Sequence, residues 1–155
     1  MDAITAFLNP KIDTDDVYMR IPEGLSWLDP SAEANFRKPE GVCRLRNAIY
    51  GLKQALRLWY RDIDAFLRSI GFAPYDVEVN LYFSESHRSA LLLYVDDMLI
   101  ASSDVREISK VKAKLSAQYK MTGLGLARQF LGIDIRQGIP VAGGGNNVYH
   151  ARHSA

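Results

Sequence analysis

Apolar residues along the chain recur at two spacings, one typical of helices and one typical of buried strands. The helical spacing predicts a helix over 55–70 that stops before Gly71, with apolar positions at Trp59, Tyr60, Ile63, Phe66, Leu67 and Ile70. A second helix is predicted over 105–119, where Asp104 is an N-cap candidate and Glu107 follows three residues later. Its apolar stripe consists of Val105, Ile108, Val111, Leu115 and Tyr119.

Shorter apolar runs predict strands before, between and after these helices. They cover residues 2–8, 80–84, 89–94, 98–102 and 128–135. Prolines and glycine interrupt the segment 9–39 too often for long regular elements, and the glycine-rich segment 138–155 predicts a flexible tail outside the fold. The order strand, helix, strands, helix, strand permits an α+β fold, with an antiparallel sheet and two helices packed on one of its faces.

The strands predicted over 89–94 and 98–102 enclose two adjacent carboxylates, Asp96 and Asp97. A tight hairpin with its turn at residues 94–97 would place both acids at one lip of a sheet. Like charges this close raise each other's pKa unless a cation lies between them, and hard oxygen ligands suit Mg²⁺. The alternative is a solvated turn that happens to contain two aspartates, because Asp is a common turn residue. The hairpin alone leaves both interpretations open.

Composition adds only broad limits. The chain has 155 residues, 48% of them hydrophobic, which is enough for one good core and predicts one domain. No apolar run reaches the roughly 18 residues that a membrane span needs, and the N-terminus lacks the pattern of a signal peptide. Cys43 is the only cysteine, which excludes an internal disulfide and a cysteine-based zinc site.

Charge is unevenly distributed although the net charge is only +1. Residues 1–36 hold seven acids and two bases, whereas residues 37–61 hold seven bases and one acid. Aromatic residues lie within the basic block, at Tyr50, Trp59 and Tyr60, a combination that suits backbone contact and base stacking on nucleic acid. The alternative is a solvated basic surface that pairs with the acidic segment before it.

Four sequence blocks occur in a recognisable order. Residues 1–9 read MDAITAFLN, residues 42–60 contain VCRL, IYGLKQA and WY, residues 91–101 read LLLYVDDMLIA, and residues 131–135 read LGIDI. The series resembles the reverse transcriptase of copia-type LTR retrotransposons from residue 1 to about residue 137. The resemblance implies a palm region over 1–137, with the fingers truncated and the thumb absent, followed by a non-family tail over 138–155. The fold it implies is the palm subdomain of a right-hand polymerase.

The resemblance also implies a two-metal nucleotidyl-transfer site. Asp2 and Asp96 would be direct ligands of two Mg²⁺ ions, for which Mn²⁺ can substitute, and Asp97 would be a supporting acid. In the family fold the strand that carries Asp2 lies beside the hairpin, so that Asp2 and Asp96 are expected to meet across the sheet. All three acids are therefore candidate catalytic and metal-binding residues.

Six further residues match family positions that contact nucleotide or primer–template. Phe7 matches the bulky position that excludes a 2′-hydroxyl, and Tyr94 would line the primer terminus. The others are Gly51, which allows close backbone approach, together with Lys53, Gln54 and Arg57. The expected partners are an RNA or DNA template–primer, deoxynucleoside triphosphates, and the other polyprotein regions (RNase H and integrase among them), with no membrane. The resemblance implies an intracellular, cytoplasmic particle as the location.

The sequence departs from the family pattern at several places. Leu56 replaces the proline that precedes the first helix, and Pro10 replaces a glycine after Asn9. Two hypotheses follow. In the first, the chain is a fragment of an RNA-directed DNA polymerase with its acids intact. In the second, it is an inactive or repurposed retrotransposon remnant that at most binds nucleic acid.

Overall fold

The computed structural model describes residues 1–13, 17–21, 42–136 and 150–153. The chain divides into two compact units, Met1–Ile4 with Leu67–Ala155 and, separately, Thr5–Phe66. Ala48, Ala55 and Leu58 form a small core within the second unit, and the expectation of one domain from chain length stays a prediction.

The described elements comprise eleven strands and two α-helices. The strands are β1 (Asp2–Ala3), β2 (Tyr18–Arg20), β3 (Val42–Arg44), β4 (Ala73–Pro74), β5 (Leu81–Ser84), β6 (Ser89–Tyr94), β7 (Asp97–Ser102), β8 (Met121–Thr122), β9 (Gln129–Phe130), β10 (Ile133–Arg136) and β11 (His150–His153). The helices are α1 (Ala55–Ser69) and α2 (Val105–Gln118). Strands and helices are thus both present, as expected for an α+β chain.

A six-stranded sheet forms the centre of the first unit. Its order is β4-β5-β6-β7-β1-β8, and every neighbouring pair is antiparallel. Buried and less buried side chains alternate along β6, and Leu91 and Leu93 are among the buried ones. Residues that pair across neighbouring strands point to the same face of a sheet. Tyr82 of β5 and Met98 of β7 pair with these two residues, so the same face carries all four buried side chains.

Helix α2 packs against β7 and buries Val111 and Leu115 of its predicted apolar stripe. The Asp104 carboxylate accepts a hydrogen bond from the Arg106 N–H at 2.8 Å, which confirms the predicted N-cap. Glu107 does not complete a capping box. Its carboxylate instead contacts the His87 ring and the Lys110 ammonium, at 2.9 and 2.6 Å.

Helix α1 ends one residue before the predicted end, and Gly71 terminates it as expected. The Gly71 N–H donates to the Arg68 carbonyl at 3.1 Å, and the Phe72 N–H donates to the Leu67 carbonyl at 3.0 Å. This is a Schellman motif with Gly71 at φ +93°, in the left-handed region that a glycine enters without steric cost.

The strand predicted over 2–8 is wrong beyond its first two residues. Thr5 has φ +55°, which turns the chain out of the extended conformation, and residues Ala6–Leu8 form a short 3-10 helix. The Asn9 side-chain amide closes this turn by donating to the Thr5 and Ala6 carbonyls, each at 3.1 Å. β1 is therefore a two-residue strand, just long enough to carry Asp2.

The last predicted strand, over 128–135, is also divided. A two-residue turn at Leu131 and Gly132, with φ +51° and +76°, separates β9 from β10, because two positive φ values bend a hairpin tightly. β10 then pairs with β11 in a second, three-stranded sheet. The segment 138–155, predicted to be a flexible tail, thus contributes one paired strand, and the rest of it lies outside the described residues.

The smaller unit contains the 3-10 helix, the β2–β3 ladder and most of α1. Its core residues Ala48, Ala55 and Leu58 are covered by the partly buried side chains of Phe7, Ile12 and Leu52.

Candidate active site

The hairpin predicted around the two adjacent acids is present. β6 and β7 pair from Ser89 with Ser102 to Tyr94 with Asp97, which leaves Val95 and Asp96 as a two-residue turn. Val95 has φ +54°, an unusual conformation for a β-branched residue and one that stores backbone strain. The hairpin therefore holds the two acids at its tip in a strained turn.

The sheet register joins this tip to Asp2. Asp2 pairs with Asp97 on one side and with Thr122 on the other, while Tyr94 pairs with Asp97. Directly opposed residues on neighbouring antiparallel strands point to the same face. Tyr94, Asp97, Asp2 and Thr122 consequently form one row across four strands.

The expectation that Asp2 and Asp96 meet across the sheet needs a correction. The turn takes up Val95 and Asp96, so Asp97 is the first residue of β7 and becomes the cross-strand partner of Asp2. Asp96 is nevertheless adjacent, because its carbonyl accepts a hydrogen bond from the Ala3 N–H at 2.9 Å. One acid therefore comes from β1, one from the turn and one from β7.

The pKa of Asp2 reflects the two neighbouring carboxylates. Partial burial raises the pKa of Asp2 above its ordinary value of 3.8, and the negative charges of Asp96 and then Asp97 raise it further. The Met1 N-terminal ammonium lowers the pKa of Asp2 but does not cancel the increase. A net increase is expected where nearby positive charge compensates the repulsion between acids only in part. The cluster is therefore electrostatically unfavourable by itself and would be relieved by a positive charge.

The chemistry of the cluster fits a hard divalent ion, since it offers only oxygen donors. Within the described part of the chain, however, no three His, Cys, Asp or Glu side chains are arranged to hold a metal ion by themselves. The donor types thus suit Mg²⁺, and the roles of Asp2, Asp96 and Asp97 as metal ligands stay a prediction.

Tyr94 is the one predicted nucleotide or primer–template residue in the same unit as the acids. Its side chain is 52% exposed at the end of β6, beside Asp97 in the row. Thr122 stands at the other end of that row and is exposed, yet nothing in the sequence marked it as a neighbour of Asp2. Its two-residue strand carries no periodicity from which the pairing could be predicted.

The remaining five predicted contact residues lie in the smaller unit. Phe7 is half-buried in the 3-10 helix and meets the Tyr50 ring edge-on, with ring centroids 4.9 Å apart. Gly51 has φ +92°, and a Cβ built there would meet nothing within 4 Å. The left-handed turn, and not close packing within this chain, is therefore what favours glycine at this position.

Lys53 is exposed and Gln54 half-buried immediately before α1, and the Gln54 carbonyl accepts the Leu58 N–H at 2.9 Å. Arg57 is exposed on the first turn of the helix and pairs with Asp13 at 3.1 Å. Arg61, one turn later, pairs with the same Asp13 oxygen, also at 3.1 Å. Asp13 was not predicted as a site residue, although the charge distribution had offered pairing between the acidic and basic segments as an alternative.

Comparison with known proteins identifies the relatives of this chain. Residues 1–147 match the family described as "Reverse transcriptase (RNA-dependent DNA polymerase)". The chain is 39% identical over 138 residues to the retrovirus-related Pol polyprotein from transposon TNT 1-94 of Nicotiana tabacum, covering 87% of this chain and 10% of that protein. No solved structure matches it.

Two further relatives show the same pattern. The chain is 37% identical over 139 residues to a putative transposon Ty5-1 protein of Saccharomyces cerevisiae, covering 88% of this chain and 42% of that protein. It is 35% identical over 139 residues to the Pol polyprotein from transposon RE2 of Arabidopsis thaliana, covering 88% of this chain and 9% of that protein. The chain thus spans less than half of each of these relatives. Within the described residues, no helix is long and apolar enough to cross a membrane.

Proposed function

This chain belongs to the reverse transcriptase family of copia-type retrotransposon Pol polyproteins, and we propose that it carries the polymerase active site of such a protein. The reaction is transfer of a deoxynucleotide from its triphosphate to the 3′-hydroxyl of a primer, directed by an RNA template. The observation that carries the proposal is the gathering of Asp2, Asp96 and Asp97, from a strand, a turn and a second strand, at one end of neighbouring interior strands of the sheet.

In this proposal the acids are the ligands of the metal ions. Asp2 and Asp96 hold two Mg²⁺ ions, and Asp97 supports them from its place beside Asp2. When bound, divalent ions lower the pKa of the attacking hydroxyl and stabilise the leaving pyrophosphate. The protein's contribution is to fix the carboxylates in advance. The antiparallel register sets the position of Asp2 and Asp97, and the strained turn sets that of Asp96.

The other predicted contacts bind and orient the substrates. Tyr94 lines the primer terminus beside the acids, and Phe7 excludes a ribonucleotide 2′-hydroxyl by its bulk. Gly51, Lys53 and Gln54 approach the incoming base and its template partner, and Arg57 contacts backbone phosphate. The partners are a template–primer, deoxynucleoside triphosphates, and the other regions of a longer Pol polyprotein.

The same proposal covers the fold and the extent of the region. We assign the six-stranded sheet and the two helices to a polymerase palm. The palm region comprises residues 1–137 and the tail 138–155. The family match extends ten residues beyond that boundary, to residue 147, so the boundary at 137 stays a prediction.

Primer extension tests the proposed activity. The 155-residue chain is incubated with poly(rA)·oligo(dT), dTTP and either Mg²⁺ or Mn²⁺. Only weak extension is expected from the parent chain, and it is expected to fall to the background level in Asp96→Asn, because a ligand of the metal ions is lost. Asp76→Asn removes a carboxylate from an exposed turn and is the matched control.

Equal extension by Asp96→Asn and the parent chain would show that the acids are not the catalytic centre. Absence of extension at every protein concentration would overturn the activity of this chain and leave the second hypothesis, a retrotransposon remnant. In that case, saturable binding of the template–primer without added metal would identify a nucleic-acid-binding remnant.

A further inference from the structure

Arg57 and Arg61 together form an anion-binding site on the exposed face of α1. They are four residues apart, so both project from the same side of the helix. Their side chains are 58% and 63% exposed, and each places a guanidinium nitrogen 3.1 Å from the same Oδ2 of Asp13. Arg57 also reaches the other oxygen of that carboxylate, at 3.5 Å. Two guanidinium groups thus converge on one small anion.

Asp13, the carboxylate between the two arginines, is bound only weakly. Asp13 is 32% exposed, and ion pairs in contact with solvent contribute about 0–1 kcal/mol. A phosphodiester offers the same single charge and the same oxygen chemistry, so it can replace Asp13 without creating a buried unpaired group.

Two guanidinium groups that converge on one carboxylate oxygen can likewise converge on one backbone phosphate. Each phosphate that a protein contacts releases condensed counterions from the nucleic acid, so a polymer gains affinity in a way that depends on salt. Arginine is also the side chain best suited to paired hydrogen bonds with phosphate.

We propose that Arg57 and Arg61 bind the phosphate backbone of the template–primer, and that Asp13 occupies their site in the free protein as a competing internal anion. The inference rests on the proposed function for the identity of the ligand. It adds Arg61 as a second contact and assigns Asp13 an autoinhibitory role. Nucleic acid must displace Asp13, so the carboxylate lowers affinity at this site and leaves weakly bound strands easier to release.

Binding of a fluorescein-labelled oligo(dT)·poly(rA) duplex, measured by anisotropy at several salt concentrations, tests the proposal. Removing the internal anion with Asp13→Asn is expected to tighten binding about two- to fivefold at low salt, which is the range that 0.4–1 kcal/mol represents. Asp76→Asn, an exposed acid of the other unit, is expected to leave binding unchanged. The double variant Arg57→Ala/Arg61→Ala is expected to weaken binding and to reduce the salt slope by about 1–2.

The decisive comparison combines the two changes. If Asp13 acts through the arginines, Asp13→Asn has no effect when Arg57 and Arg61 are both alanine. If Asp13→Asn tightens duplex binding equally in the Arg57→Ala/Arg61→Ala background, Asp13 acts by general repulsion of the nucleic acid and the proposal is overturned. Unchanged affinity in Asp13→Asn alone would also overturn it. Displacement of the duplex by millimolar tripolyphosphate as readily as by unlabelled poly(rA) would indicate a triphosphate site and contradict the polymer assignment.

Failure of this inference is separable from failure of the proposed function. Primer extension is measured on the same variants. If the parent chain extends primers while all four variants bind nucleic acid equally, only the arginine site is wrong. If neither extension nor binding is observed for the parent chain, the proposed function fails together with it. Far-UV circular dichroism of each variant, expected to match the parent, shows that exposed substitutions leave the fold intact.

Discussion

The charged carboxylate of Asp2 destabilises the fold but is needed for the proposed metal binding. Its raised pKa means that the folded chain binds this proton more tightly than the unfolded chain does. The free energy of unfolding therefore falls as pH rises from the unfolded value of 3.8 through the folded pKa, and the penalty is complete at higher pH. At neutral pH the charged carboxylate of Asp2 therefore lowers the free energy of unfolding, and a bound cation would offset this loss.

Asp2→Asn is accordingly expected to stabilise the protein at neutral pH in the absence of divalent ions, by less than about 1 kcal/mol. The gain disappears below the unfolded pKa of 3.8, where the parent carboxyl is protonated in both states. Urea unfolding of parent and variant in EDTA at pH 7 and pH 3.5 measures the difference. Asp76→Asn, at an exposed turn, is the control, and a less stable Asp2→Asn at pH 7 would contradict the argument.

Val95 carries the backbone strain of the hairpin tip. A left-handed conformation costs a non-glycine residue about 1–2 kcal/mol, which offsets the entropic cost of introducing glycine and the loss of a half-buried side chain. Val95→Gly is therefore expected to leave the free energy of unfolding unchanged or up to about 1 kcal/mol higher. Val77→Gly, the same exchange at an 86% exposed turn residue without positive φ, is expected to lower it by roughly 0.5–1 kcal/mol. Chemical denaturation measures the free energy of unfolding of both variants. A larger decrease in Val95→Gly than in Val77→Gly would show that Val95 is not strained.

At the scale of elements, the sequence was most informative where a periodic pattern was long. Both helices and the β6–β7 hairpin lie within one or two residues of their predicted bounds, because burial of one face repeats over several turns or residue pairs. The strand predicted over 2–8 failed because a single dihedral angle ended it. Thr5 adopts φ +55°, and neither its side chain nor its neighbours indicate that conformation. The strand over 128–135 failed for the same reason, at Leu131.

In the candidate site, too, the features that depend on apolar runs were predictable, and those that depend on local backbone conformation were not. The adjacency of Asp96 and Asp97 and the tight turn could be predicted from the apolar runs on either side. The pairing of Asp2 with Asp97 instead of Asp96 could not, because it depends on which two residues the turn takes up. The pairing of Thr122 with Asp2 could not be predicted either, because a two-residue strand has too few side chains for a pattern.

The end of α1 gives an element-scale prediction about glycine. Gly71 has φ +93°, and a Cβ there would lie 3.3 Å from the Ser86 hydroxyl oxygen. Gly71→Ala is expected to lower the free energy of unfolding by about 1–2 kcal/mol through backbone strain, with further loss from crowding. Gly125→Ala has a positive φ but open space and isolates the strain, and Gly123→Ala has neither. Thermal unfolding should rank Gly123→Ala above Gly125→Ala and Gly71→Ala last; any other order would refute the assignment.

The start of α2 gives a prediction about pH. Hydrogen bonds from Lys110 and then His87 lower the pKa of Glu107 below 4.5. A lowered folded pKa contributes stability that is fully present above the unfolded value of 4.5 and is lost as pH falls through the folded pKa. Glu107→Gln is thus expected to be less stable than the parent at pH 7, with the difference shrinking as the pH falls from 4.5 towards 3. Glu85→Gln, at an exposed turn, should show no such dependence, and a difference in Glu107→Gln that persists at pH 3 would contradict the linkage.

At the scale of the whole molecule, net charge is a poor guide to function. The value of +1 conceals an acidic N-terminal segment and a basic block over 37–61, and the two Arg57 and Arg61 contacts with Asp13 show that these segments partly neutralise each other. The alternative of pairing between the two segments is therefore observed at Asp13, and contact of the basic block with nucleic acid stays a prediction. The pairing is real, and it is weak enough to be exchanged for a phosphate.

The unfavourable acid cluster yields a whole-molecule prediction. An ion that binds the folded chain alone stabilises it, by about 1.4 kcal/mol at ten times its Kd. Thermal unfolding of the full chain is therefore expected to shift upward with Mg²⁺ or Mn²⁺ by about 3–6 °C at that concentration, relative to NaCl of equal ionic strength. Asp96→Asn/Asp97→Asn is expected to lose the shift, while Asp76→Asn retains it. An equal shift in the double variant would place the ion elsewhere on the protein. A shift lost only in the double variant would show that Asp96 and Asp97 bind a cation even if no primer is extended, which separates metal binding from catalysis.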